Sequence, residues 1–160
     1  MQPDDVEYAG FWIRVGAALI DSVLVLMVIV PLLFAIYGWG YFDEQRRSMA
    51  GPADFLTDFL ISYVAPAVAI IAFWLYRQAT PGKMVLSLRV VDATTGGTLS
   101  LGQSIGRYLG YYVSTIPLFM GLIWVAFDRR KQGWHDKLAG TVVIRSKARG
   151  AEPVRFERKR

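Results

Sequence analysis

VGAALIDSVLVLMVIVPLLFAIY, residues 15–37, is an apolar run broken by one charge, Asp21. A bilayer core takes about 20 helical residues to cross, so a stretch of this length reads as a membrane span. An ionisable group inside such a span costs about 2.5–3.5 kcal/mol unless it meets a partner or water. Arg14 precedes Asp21 by seven residues. That is close to two helical turns, about 10 Å along one face, too far for an intrahelical ion pair. Asp21 is therefore expected to face another helix or a wet cavity.

The rest of the chain agrees with a membrane protein. Of its 160 residues 54% are hydrophobic and 14% aromatic, and the mean hydropathy is positive. The apolar residues are clumped rather than periodic, which suits a single membrane domain. There is no cysteine and one histidine, so disulfides, thiolate metal sites and multi-histidine metal chemistry are not expected. The first ten residues carry Asp4, Asp5 and Glu7 and nothing basic. A signal peptide has a positive start, so the first span is expected to remain in the mature protein.

Charge is distributed in blocks. Residues 38–58 sum to −2, residues 77–107 to +3, and the tail from Asp128 to +7. The positive-inside tendency places the first loop outside and the two basic blocks in the cytoplasm. The location expected is the bacterial inner membrane, multi-pass, with both termini cytoplasmic. The membrane domain is expected over 1–145, and 146–160 as a basic tail.

Spans are predicted over about 11–37, 55–76 and 101–127. Pro66 lies within the second, and Tyr76 and Arg77 anchor its end. Thr80-Pro81-Gly82-Lys83 reads as a turn, Val85–Val91 as a strand, and 141–145 as another. Ser100 caps a helix whose apolar face is Leu101, Ile105, Tyr108, Leu109 and Tyr112, with Gln103 and Arg107 on another face. Pro117 and Gly121 interrupt the third apolar segment. It is either a helical hairpin, Leu101–Ile116 and Leu118–Phe127, or a single third span. The hairpin keeps the central loop and the tail on one side, where their strands can pair. The fold class is an all-α polytopic membrane protein with short cytoplasmic strands.

Three motifs together resemble the RDD family. They are Tyr8-Ala9-Gly10-Phe11-Trp12-Ile13-Arg14 with Ala17-Ala18-Leu19-Ile20-Asp21, then Thr80-Pro81-Gly82-Lys83 through Asp92, then Asp128 to Asp136 with Ala139–Val143. The resemblance implies that Arg14, Asp21 and Asp136 are the arginine and two aspartates for which the family is named. It also implies integral bacterial membrane proteins suspected of ligand transport, some linked to sodium/proton exchange, and it supplies no reaction and no cofactor.

Read as physics, Asp21 finds its partner either in Arg14 through water or in Arg107, a basic residue embedded in the third apolar segment. His135-Asp136 invites a metal or hydrolase reading, but no second histidine completes a site. The plainer reading is that Asp136 pins the tail to the central loop through Lys83 or Arg129. Gly82-Lys83 lacks the glycine and hydroxyl of a phosphate loop. The basic tail fits anionic lipid headgroups better than nucleic acid. No nucleophile–base or metal constellation is visible, so an enzyme is not expected. Two function classes remain: a transport component, with Asp21 binding a proton or cation, and an accessory or assembly subunit, with the polar cluster as a helix clamp. A homo-oligomer or a larger membrane complex is the expected partner.

Overall fold

A computed structural model describes residues 6–39 and 51–146 of the chain. The charged first loop (40–50), the first five residues and the tail beyond Ser146 lie outside the described residues.

The described chain is mostly helical. Strand β1 (Val6–Tyr8) leads into helix α1 (Phe11–Tyr37), which closes at Gly38, where φ is +61°. The α1 surface is turned inside out relative to a soluble helix, with Leu26, Met27 and Val28 each about 60% exposed. Such a helix gains its environment from lipid rather than from a protein core.

Helix α2 (Pro52–Phe59) starts at Gly51, whose N–H donates to the Asp54 carboxylate at 3.1 Å. A π-helical turn (Leu60–Val64) joins it to α3 (Ala65–Arg77). Pro66 sits just beyond that turn, and the wider turn accommodates the bond its missing N–H cannot make. The helical run thus extends from Pro52 to Arg77, slightly longer than the predicted 55–76.

Pro81–Val85 is a short helix, α4, rather than the predicted turn, and β2 is Leu88–Asp92 rather than Val85–Val91. Pro81 at the first helical position favours that helical turn, and Ser87 at φ +55° then redirects the chain.

Helix α5 (Leu101–Thr115) is capped as expected. The Ser100 hydroxyl accepts from the Gln103 N–H, and the Gln103 side chain accepts from the Ser100 N–H. The break predicted at Pro117 is present. Leu118 and Phe119 adopt positive φ, and α6 (Met120–Ile123) with the following 3-10 turn (Trp124–Ala126) leaves at 112° to α5. Two helical runs are long and apolar enough to cross a membrane, and the bent pair makes a possible third.

Helix α7 (Trp134–Ala139) then delivers β3 (Thr141–Ser146). The three strands form one antiparallel sheet in the order β1-β3-β2, with Val6 opposite Ser146 and Val91 opposite Val142. Both predicted strands occur and pair. Strand β1 was not anticipated, because three residues beside an acidic run carry too little alternation to read.

The sheet is buried on both faces. Leu88, Val90 and Val143 pack with Ala17, Trp74 and Leu99, which ties it to the helices. Val6, Val91, Val142 and Ile144 form a smaller cluster on the opposite side.

Candidate functional site: two carboxylates at the first helix

Arg14 and Asp21 leave α1 on the same side but enter separate clusters. The first cluster centres on Asp136, which is fully buried. Its Oδ2 accepts from Arg14 Nη1 at 2.5 Å, and its Oδ1 lies 2.7 Å from Arg107 Nη2. The same Oδ2 accepts from the Gly133 N–H at 3.1 Å, so Asp136 also caps its own helix. Arg14 is held from its other side by the carbonyls of Ala9 and Lys131, at 2.9 and 2.5 Å. Arg107 donates from Nη1 to the Thr141 hydroxyl at 2.7 Å. One carboxylate therefore ties together α1, α5, α7 and the start of β3.

Arg107 reaches this position because α5 carries its polar and small residues inward. Ser104, Arg107, Gly110 and Ser114 are buried, while Leu101, Ile105, Leu109 and Tyr112 face outward. Gly110 and Gly121 permit the close approaches. A Cβ on the first would stand 2.9 Å from the His135 Cα, and one on the second 2.6 Å from the Ser114 Cα. The Arg107 guanidinium lies 5.2 Å from the Trp74 ring centre and 5.9 Å from that of Tyr111. Tyr111 stacks on His135 with centroids 4.1 Å apart. The aromatic faces attract the guanidinium and shield it from competing water.

The charges are settled by this packing. Burial opposes ionisation of Asp136 most strongly, but the guanidiniums of Arg107 and Arg14 outweigh it and hold the carboxyl well below the usual range. Burial, with Arg107, Arg14 and Lys83 nearby, pushes His135 down to about 3 against the pull of Asp136, so its ring is neutral. Its backbone N–H donates to the Ser114 hydroxyl at 3.0 Å, and its Nδ1 lies 3.3 Å from the same oxygen.

The second cluster is at Asp21, which is half-buried. Its Oδ2 accepts from the Thr80 hydroxyl at 2.5 Å and its Oδ1 from the Gly82 N–H at 2.7 Å. Lys83, also buried, donates to the Thr80 oxygen at 3.3 Å. The series Lys83–Thr80–Asp21 thus joins α4 to α1.

The structure corrects the expected partners. Asp21 is bonded by Thr80 and Gly82 rather than by Arg107, because α4 occupies the face of α1 where Asp21 emerges, and Arg14 turns instead to Asp136. Asp136 pairs with Arg14 and Arg107 rather than with Lys83 or Arg129, because α7 packs against α5. His135 and Asp136 approach to 3.4 Å between Nε2 and Oδ1. Thr80, Ser104, Tyr111, Ser114 and Trp74 were not anticipated. The buried residues of α5 recur at helical spacing within an apolar segment, and that recurrence is the signal that could have found them. Among the described residues no group of His, Asp and Glu side chains is placed to hold a metal ion.

Comparison with known proteins follows the same residues. A model of the RDD family matches residues 8–140. The uncharacterized protein YxaI of Bacillus subtilis is 33% identical over 150 residues, covering 85% of this chain and 96% of that one. The uncharacterized membrane protein YteJ of the same organism is 33% identical over 145 residues, covering 88% and 82%. The uncharacterized protein RP437 of Rickettsia prowazekii is 43% identical over 76 residues, which span 48% of this chain and 42% of that protein. No solved structure matches the chain. With Arg14, Asp21 and Asp136 all inside the matched range, this chain belongs to the RDD family of membrane proteins.

Proposed function

We propose that the chain is a non-catalytic, multi-pass component of the bacterial inner membrane that serves as an accessory or assembly subunit of a larger membrane complex. The observation carrying this reading is the pairing of the buried Asp136 with two guanidiniums, those of Arg14 and Arg107. A carboxylate held between two guanidiniums and a helix N-terminus is strongly opposed to taking up a proton, so it suits a clamp better than a relay. The clamp fixes how α1, the bent α5–α6 pair and α7 meet, which leaves outward-facing apolar surfaces in a fixed geometry for neighbouring proteins. Purification at native expression level in mild detergent, followed by mass spectrometry, tests it. A stoichiometric heteromeric partner is expected, and recovery of only free protein or a homo-oligomer would count against it.

Asp21 favours a second reading, transport of a proton or cation. Its hydrogen bonds come from neutral groups, Thr80 and Gly82, and it is not closed off by a guanidinium. On that reading Asp21→Asn abolishes ion flux in liposomes while the protein still inserts. Normal flux in the variant removes the idea.

In either case the bent α5–α6 pair acts as a hairpin that returns to the side it left. Support comes from the sheet: β1, β2 and β3 precede and follow the helices yet share one ladder, an arrangement that fits one side of the bilayer. That side is the cytoplasm by charge. Because the chain has no native cysteine, single-cysteine labelling has no background. Cysteines at Ser87 and Ser146 are expected to react only from the cytoplasmic side, and one at Trp39 only from outside. Labelling of Ser87 and Ser146 from opposite sides would replace the hairpin with a third crossing.

A further inference from the structure

Where α3 ends and meets the sheet, a cavity of about 530 Å³ is lined by Arg77, Arg89 and Arg145, with no acidic side chain in its wall. The three arginines come from separate elements: the last residue of α3, the second of β2 and the fifth of β3. Arg145 is paired with Glu7, its cross-strand neighbour on β1. Arg77 and Arg89 are exposed and have no acidic partner among the described residues. By register Arg89 shares a sheet face with Ile144 and Arg145 lies on the other face with Leu88 and Glu7, so the unpaired positive charge at this cavity is that of Arg77 and Arg89. Exposed Tyr76 and Met84 complete the lining with an aromatic ring and a thioether.

We infer that this cavity binds a phosphate-bearing anion, with Arg77 and Arg89 on the phosphate and Tyr76 and Met84 against its carbon skeleton. Arginine presents a planar fork of donors that matches phosphate oxygens. The volume falls within the range of small-molecule sites. Arg77 is the last residue of α3, inside the stretch Pro52–Val85 that is long and apolar enough to cross a membrane, and an aromatic–basic pair such as Tyr76-Arg77 suits the depth of lipid headgroups. The phosphate can come from an anionic phospholipid or from a free phosphate compound. This inference rests on the membrane reading of α3 and is independent of the clamp.

Calorimetric titration of the full-length protein in mild non-ionic detergent tests it. The probes are short-chain phosphatidylglycerol, short-chain phosphatidylcholine and inorganic phosphate. Saturable binding of phosphatidylglycerol or phosphate is expected, weakened about tenfold by Arg77→Gln or Arg89→Gln and further by both. Binding of the glycerol lipid alone identifies a headgroup site, whereas competition by inorganic phosphate identifies a free-anion site. No saturable binding, equal binding of phosphatidylcholine, or unchanged affinity in the double variant would each overturn the inference. If Arg89→Gln lowers Tm because it lies in the sheet, Arg77→Gln at the exposed helix end decides the matter alone.

Discussion

Asp136→Asn is expected to lower the stability of the protein by about 3–5 kcal/mol, read as a large fall in Tm in detergent. Removing the charge leaves the Arg107 guanidinium fully buried without a counter-ion, and Arg14 loses its carboxylate at the same time. Arg107→Met is expected to cost less. Asp136 then keeps Arg14 and the Gly133 N–H, and the methionine fills part of the vacated volume. The two changes should couple: adding Arg107→Met to Asp136→Asn removes the orphaned cation and recovers part of the lost stability. A Tm unchanged by Asp136→Asn, or strict additivity of the two substitutions, would mean that the cluster is not a clamp.

Gly82→Ala is expected to cost about 3 kcal/mol or more and to loosen α4 from α1. A Cβ at this position would stand 2.3 Å from the Ala17 carbonyl oxygen and 2.9 Å from both the Asp21 Cγ and its backbone nitrogen. Helix backbone cannot yield as the tip of a side chain can, so the two helices must separate. Overpacking of this kind costs about 1–3 kcal/mol. Loss of the charge-assisted bond from the Gly82 N–H to Asp21 adds about 1.5–3 kcal/mol. Gly10→Ala is the matched control, since nothing lies within 4 Å of the added atom. Equal Tm values for the two variants would sink the close-approach argument.

Much of the architecture was legible because the local signals were strong. The apolar run of α1 needed only its length. The cap at Ser100 announced itself through Gln103 three residues on, and Pro117 marked the break that α5 and α6 turn about. The π turn before Pro66 was not legible, since many arrangements can absorb a missing N–H. Nor was α4, because Thr-Pro-Gly-Lys suits an open turn and a single helical turn equally well.

The candidate site divides in the same way. The sequence by itself determined that Arg14, Asp21, Arg107 and Asp136 must be accounted for, because charge inside or beside apolar segments is costly wherever it ends up. Tertiary structure alone decided which charge meets which. Both Arg14–Asp136 and Arg107–Asp136 join residues far apart in the chain, brought together when α7 packs on α5 and β3 pairs with β1 and β2. The buried polar stripe of α5 lies opposite its apolar face, and the wheel of residues gives both faces without saying which one meets protein. That choice depends on what else is present. With lipid as the surrounding solvent the apolar face turns outward and the arginine goes in, where only the folded chain supplies its carboxylate.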